Sequence, residues 1–363
     1  GDIVALKDYA SNFASAPLTI NRNGSNLNGD AVNNTRGTNN ESLTLVYADA
    51  TKGWLAVEEG TGFVGETFIE ATGGTATESG NFKIHTFTGP GTFTVSALSD
   101  SSPNNVVDYL VVGGGGSGGF GVRNYQSGGG GGAGGYRESP GTATGCYSVS
   151  PRGASPAVAL PVSVQGYPIA VGAGGATSTE PANSTQSGSS SSFSTITSAG
   201  GGGGGIYPAN GIGVAGASGG GGGSRNTPSP GSHTVGGAGN TPSVTPAQGT
   251  DGGDGNATAY GSGNPHNGGG GGGATVAGTD ATGPQSGPGG TGGTSSINGT
   301  PTQRSGGGGG GSQKDTVGAA TGGGGAGGLN GDGNAGTANT GGGGGGGGQG
   351  PSGAEADGGA GGS

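Results

Sequence analysis

Uninterrupted runs of glycine constrain this chain more than any other feature. After Gly113–Gly116 they stand at 128–132, 201–205, 219–223, 268–273, 306–311, 322–325 and 341–348. Such a run has no Cβ to bury in an oily core, and glycine loses more conformational freedom on ordering than any other residue. Of the 103 glycines, 13 precede residue 113 and 90 lie in 113–363, which marks a boundary near residue 112. The starts of the runs are irregularly spaced, which excludes a fixed-period solenoid. Collagen needs glycine at every third position with Pro-rich intervening residues, and contiguous runs do not meet that rule.

Composition narrows the class further. Apolar residues make up 27% of the 363, too few for an ordinary single core. Cys146 is the only cysteine, so neither an intrachain disulfide framework nor a Cys-based zinc site exists. The formal charge is −10 with only 11 Lys and Arg, which leaves no basic patch to neutralise phosphates. Nucleic acid is therefore not an expected partner. No apolar run approaches the roughly 18 residues of a membrane span.

Two readings fit the glycine runs. One is a flexible linker. The other is a set of extended polyproline-II-type helices packed side by side, left-handed, with three residues per turn. That helix has no internal hydrogen bonds, so each buried N–H and C=O must find a partner on an adjacent helix. Only glycine lets backbones approach closely enough in every direction. The spacers favour the second reading, since Phe120-Gly121-Val122-Arg123-Asn124-Tyr125, Ile206-Tyr207-Pro208 and Tyr167-Pro168-Ile169 are not linker sequence. Alternating run directions would bring spacers 117–127 and 206–218 to one tip, unless crossings hidden within 133–200 and 224–267 spoil the parity.

Before residue 113 the signals are those of strands. Ser42–Tyr47 and Trp54–Val57 flank a turn at Asp49–Gly53 and read as a hairpin, with Asp2–Leu6 and Leu18–Ile20 as shorter strands. A second β module is predicted from Glu66–Glu70, Phe82–Phe87, Gly91–Val95 and Val106–Val112. The expected fold class is thus all-β N-terminal modules followed by a glycine-rich domain of packed polyglycine-II helices, with essentially no α-helix. Its predicted parts are 1–59, a small β module; 60–112, a β-hairpin module leading into the lattice; and 113–363, the lattice with its spacer loops.

Val107–Gly116, Gly128–Glu138, Tyr167–Gly175, Asn240–Gly249 and Gly336–Gly341 together resemble the glycine-rich domain of bacteriophage tail fibres and tail-fibre adhesins. Pro17–Gly24 and Leu45–Trp54 are similar to a small β module of virion fibre proteins. The resemblance implies a polyglycine-II sandwich whose spacer loops touch the host. It also implies a virion or extracellular location, a host cell-surface receptor (a glycan or an outer-membrane protein), and other fibre or baseplate proteins as partners. A homotrimer through the N-terminal modules is implied as well. Leu6, Leu18, Ile20, Leu43, Leu45 and Trp54 would pack in such a trimer, or one module would bury them alone. The chain departs from the family pattern at Gly358–Ser363, where an apolar closing strand is usual.

No nucleophile, base and acid can be assembled from the sequence, and a non-enzyme without cofactor or metal is expected. The calcium-type repeat is approached at Gly252-Gly253-Asp254-Gly255-Asn256, but Ala257 stands where the ligand aspartate is required. Recognition then rests on the spacers. Aromatic residues and arginine carry binding energy at interfaces and stack on sugar rings. The candidate receptor-binding residues are Phe120, Arg123, Asn124, Tyr125, Ile206, Tyr207, Arg225, His233, Tyr260 and His266. The alternative for each is that it seals the lattice, and Tyr136, Tyr167 and Ile169 are assigned to sealing. The rival function is a non-viral extracellular matrix or filament subunit, and a further alternative is a capsid-surface decoration fibre.

Overall fold

The computed structural model describes residues 2–60, 68–99, 104–122, 126–141, 147–153, 157–179, 185–206, 211–226, 234–258, 266–314, 316–349 and 355–363. It divides into two compact units, Gly1–Phe68 with Ser99–Ser102, and Ile69–Leu98 with Pro103–Ser363. Among the described residues there is no α-helix.

In the first unit β1 (Ile3–Lys7), β4 (Ser42–Asp49) and β5 (Gly53–Gly60) form an antiparallel sheet in the order β1-β4-β5, and β2 (Leu18–Ile20) pairs with β3 (Asn34–Arg36). The hairpin read from the sequence is β4–β5, with Tyr47 opposite Trp54. Of the apolar residues expected to pack here, Leu43 and Leu45 are buried. Leu6, Leu18, Ile20 and Trp54 instead remain partly open around a groove of about 480 Å³.

The second unit begins with β6 (Glu70–Thr72), β7 (Thr75–Ser79), β8 (Phe82–Thr86) and β9 (Gly91–Ala97). The sequence reading made 60–112 a separate module, and the structure corrects this. β9 pairs with β6 on one side and with β14 (Gln165–Ala170) on the other, inside a five-stranded sheet that also holds β15 (Ser191–Phe193) and β16 (Ile196–Ser198). Phe93, Val95, Tyr109, Val111, Tyr167 and Phe193 pack on one another there. Tyr167 and Ile169 join this core because β14 alternates its side chains across the sheet. The predicted strand at 106–112 is broken into β10 (Val106–Val107), which pairs with β13 (Leu160–Pro161), and β11 (Leu110–Val112). β11 pairs with β12 (Tyr136–Glu138) and feeds the first lattice helix.

Beyond β11 the backbone becomes a lattice with a period of three. The N–H groups of Gly113, Gly116 and Gly119 donate to Gly135, Gly132 and Gly129. Those of Gly114 and Ser117 donate to Ser189 and Gln186, and those of Gly115 and Gly118 to Gly362 and Gly359. Successive residues thus point to three different neighbours, as a threefold extended helix requires. The helix at 128–135 lies at the centre. It exchanges backbone hydrogen bonds with 113–119, 199–205, 218–224, 269–272, 308–311 and 341–347. Five of these six neighbours belong to helices with a glycine run of five or more, and the sixth begins with Gly113–Gly116.

Clearance, not backbone twist, is what demands glycine at the centre. None of Gly128–Gly132 has a positive φ. A Cβ on Gly129, Gly130 or Gly131 would lie closer than 3.0 Å to the carbonyl oxygen of Gly221, Gly308 or Gly116 respectively, a separation real Cβ atoms do not show. Three consecutive residues therefore face three different walls.

Outer helices follow a looser rule that the sequence reading missed. At 212–216 only Gly213 and Gly216 face inward, while Ile212 and Val214 are 54% and 40% exposed. At 332–337 the inward residues are Gly333 and Gly336. These are the hidden crossings: 172–178, 186–190, 234–239 and 249–256 all run in the lattice without a glycine run. The run at 322–325 is a second correction. Gly322 and Gly323 have φ of +61° and +87° and turn the chain, so only the residues from Gly324 onward continue as a lattice helix.

Candidate recognition surface

The lattice has a sheet end, capped by the apolar core, and a loop end. At the sheet end, Tyr136 is 1% exposed and its ring lies on Gly293. Burial, with the Glu138 carboxylate beside it, raises its phenol above the ordinary value. Gln248 is also enclosed there, its amide donating to Pro242 O (2.8 Å) and accepting from Ala199 N (2.9 Å). Tyr136 therefore seals, as expected of it.

At the loop end the chain enters and leaves its spacers through paired contacts. Gly121 and Ala356 exchange backbone hydrogen bonds of 2.8 and 3.1 Å, and Thr234 and Gly255 exchange bonds of 3.2 and 2.8 Å. Ser127 N donates to Ser224 Oγ (2.6 Å) while Ser224 N donates to Ser127 O (2.7 Å). β17 (Arg225–Asn226) and β18 (Ala257–Thr258) then run parallel to each other. Asn256 N donates to Asn267 O, and Asn267 N to Asn256 Oδ1. The roots of four spacers are thereby fixed to one another.

Phe120, Val122 and Ile206 pack together at 2%, 8% and 3% exposure, which places the spacers after 120 and after 206 at one end. The roots of both spacers thus lie together, but the spacer 206–218 does not stay there. Its residues from Gly211 return along the lattice as an outer helix.

Individual candidates separate clearly. Phe120, Ile206 and His266 face into the lattice and not toward a partner, which corrects their assignment to the contact surface. The reason is local: strands 113–121 and 199–206 are ringed by other helices, so an apolar side chain at their last turn can only fill the gap at the lattice end. Burial pushes the His266 imidazole down to about 4, with the Lys314 ammonium adding to the shift. Arg225 is half-buried on β17. Arg123, Asn124, Tyr125, Tyr207, His233 and Tyr260 lie outside the described residues.

The sequence reading missed the polar residues that hold this end. Asn267 is fully buried and uses its whole side-chain capacity. Its Oδ1 accepts from Ser286 Oγ (3.2 Å) and Ser312 Oγ (2.9 Å), and its Nδ2 donates to Thr282 O (3.2 Å) and Gly283 O (3.3 Å). A usable signal was present: Ser127, Ser224, Asn267, Ser312 and Gln349 each abut a glycine run on its loop side. All five are buried.

Among the described residues no group of three or more His, Cys, Asp or Glu side chains lies close enough to hold a metal ion. The family model described as a glycine-rich domain matches residues 86–363. No curated protein and no solved structure matches the chain.

Proposed function

The chain belongs to the glycine-rich domain family, and from that footing we propose that it is a viral structural fibre protein, an adhesin of the phage tail-fibre kind, that binds a host cell surface without chemistry. One observation carries the reading: the spacers emerge at one end of a hydrogen-bonded body, their roots joined by reciprocal contacts such as Gly121 with Ala356 and Asn256 with Asn267. Fixing the roots removes their share of the ordering cost on binding, which favours useful affinity from a modest contact area. The receptor is a glycan or an outer-membrane protein of a bacterial host. Arg225 and the spacer residues Arg123, Asn124, Tyr125, Tyr207, His233 and Tyr260 are the proposed contacts.

The N-terminal unit, on this reading, docks to other fibre or baseplate proteins and forms a homotrimer. Its half-open Leu6, Leu18, Ile20 and Trp54 support that part, since a unit of this size with few buried apolar side chains gains stability by association. The protein then resides in the virion, outside the host cell.

Labelled protein titrated onto candidate host bacteria tests the proposal. Saturable binding to one host, lost in Arg225→Ala and Tyr125→Ala with the lattice still folded, is expected. Filaments of pure protein with no saturable cell binding would instead favour a matrix subunit and overturn the adhesin reading.

A further inference from the structure

A threefold extended helix sends its N–H groups in three directions, so an outer helix aims part of them where a further strand would sit. Open rows of N–H and C=O are templates for adding another chain. In this protein side chains close several of them. Gly236 N donates to Asp254 Oδ1 (2.9 Å) and Gly239 N to Asp251 Oδ1 (2.7 Å). The two amides stand three residues apart on 234–239, and the two carboxylates three apart on the antiparallel helix 249–256. The caps therefore repeat with the lattice period. Asp254 N donates in turn to Asp280 Oδ1 (2.8 Å), and elsewhere Asp357 N donates to Asp332 Oδ1 (2.8 Å).

Threonine hydroxyls bridge pairs of carbonyls nearby. Thr250 Oγ1 donates to Gly273 O (2.7 Å) and Val276 O (2.8 Å), and Thr275 Oγ1 to Thr291 O (3.0 Å) and Gly292 O (3.1 Å). An acceptor-only carboxylate meets each of the four capped N–H groups, whereas each threonine hydroxyl shares its one hydrogen between two carbonyls, of which Val276 O and Thr291 O also accept backbone N–H groups. No Lys or Arg occurs in the sequence between residues 226 and 303, so no basic side chain of that segment competes for these carboxylates.

We propose that Asp251, Asp254 and Asp280 terminate the lattice on this face, their carboxylates standing in for the carbonyls of a missing strand and so preventing a second copy from adding its own outer helix. This holds whatever the loops bind, and it leaves the loop end as the place for partners.

Sedimentation velocity of the full chain over a concentration series tests it. The triple substitution Asp251→Ala, Asp254→Ala and Asp280→Ala is compared with the parent and with the triple change to Asn, which keeps an acceptor oxygen. The alanine variant is expected to associate beyond the parent's state at a concentration about tenfold lower than the parent does, as freed hydrogen-bonding groups find partners on another copy. Gly236 and Gly239 should lose their slow amide exchange in dilute solution, and the asparagine variant should match the parent. The proposal is overturned if the folded alanine variant keeps the parent's state throughout, or if the asparagine variant associates equally. Folding is read from amide protection at Gly130. Should the triple alanine variant lose it, Asp251→Ala alone, which frees only Gly239, is judged by the same two criteria.

Discussion

Asn256 and Asn267 clamp the two roots of one spacer: the Asn256 amide donates to Asn267 O at 3.1 Å, and the Asn267 amide returns the bond to Asn256 Oδ1 at 2.8 Å. Asn267 then spends its own side chain on four further partners, two hydroxyls and two carbonyls. Side-chain amides at the loop end thus take over the work that backbone amides do inside the lattice.

Replacing Asn267 with alanine removes all four side-chain bonds. The buried Ser286 and Ser312 hydroxyls each lose an acceptor, although Ser286 Oγ keeps Gly311 O, and the Thr282 and Gly283 carbonyls at an exposed turn lose a donor, although Thr282 O keeps Asn256 Nδ2. At about 0.5–1.5 kcal/mol net for each hydrogen bond lost, the cost should be about 2–4 kcal/mol. Denaturant unfolding measures it. Amide exchange should show the damage concentrated at Asn256, Ser286 and Ser312, with Gly130 changed least.

Glycine substitutions should divide by position. Gly130→Ala puts a methyl group against the Gly308 carbonyl with helices on every side, and the lattice has no room to yield. A cost above about 4 kcal/mol is expected, enough to prevent folding of the glycine-rich unit. Gly283→Ala meets nothing within 4 Å and should shift stability by less than about 0.5 kcal/mol. Thermal unfolding of the two variants side by side decides the matter, and equal effects would contradict the packing described.

How much of this was legible in the sequence depends on how many neighbours a helix has. The central helix at 128–135 and its ring could be read because full enclosure forces glycine at nearly every residue. The outer helices could not, since 212–216 needs glycine only at Gly213 and Gly216 and elsewhere accepts Ile212 or Val214. Strand positions before residue 113 were legible from alternation, but β9 pairing with β14 was not, because nothing local encodes a partner some seventy residues away. Among the candidate contacts, residue type alone could not tell Phe120, which fills the lattice end, from a side chain that faces outward.

Acid should weaken the loop end through His266. Its imidazole sits near 4 in the folded chain against an ordinary 6.5, lowered first by burial and then by Lys314. Between those values the unfolded chain binds more protons, so stability rises with pH across the window and is flat with respect to this group above it. His266→Gln should remove that part of the slope. Unfolding midpoints at pH 4, 5.5 and 7 provide the check: the difference between variant and parent should shift in the variant's favour as pH falls.

The last lattice helix should be as necessary as the first. Residues 355–363 receive the N–H groups of Gly115, Gly118 and Gly121 and donate to Gly175, Ser178, Gly342 and Gly345. The first helix of the lattice therefore stays incomplete until the most distant segment of the chain has arrived, a closure of very high contact order that should make folding slow. Deleting 355–363 leaves at least three central amides without acceptors, at about 1–3 kcal/mol each, against a total stability of only about 5–15 kcal/mol. Exchange protection across 113–121 should disappear in the deletion, while the separate N-terminal unit keeps its own. A synthetic peptide of residues 355–363, added in trans, should restore part of that protection if strand completion is the cause. Restoration of none, with 113–121 still protected in the deletion, would show that the other neighbours of the first helix suffice without it.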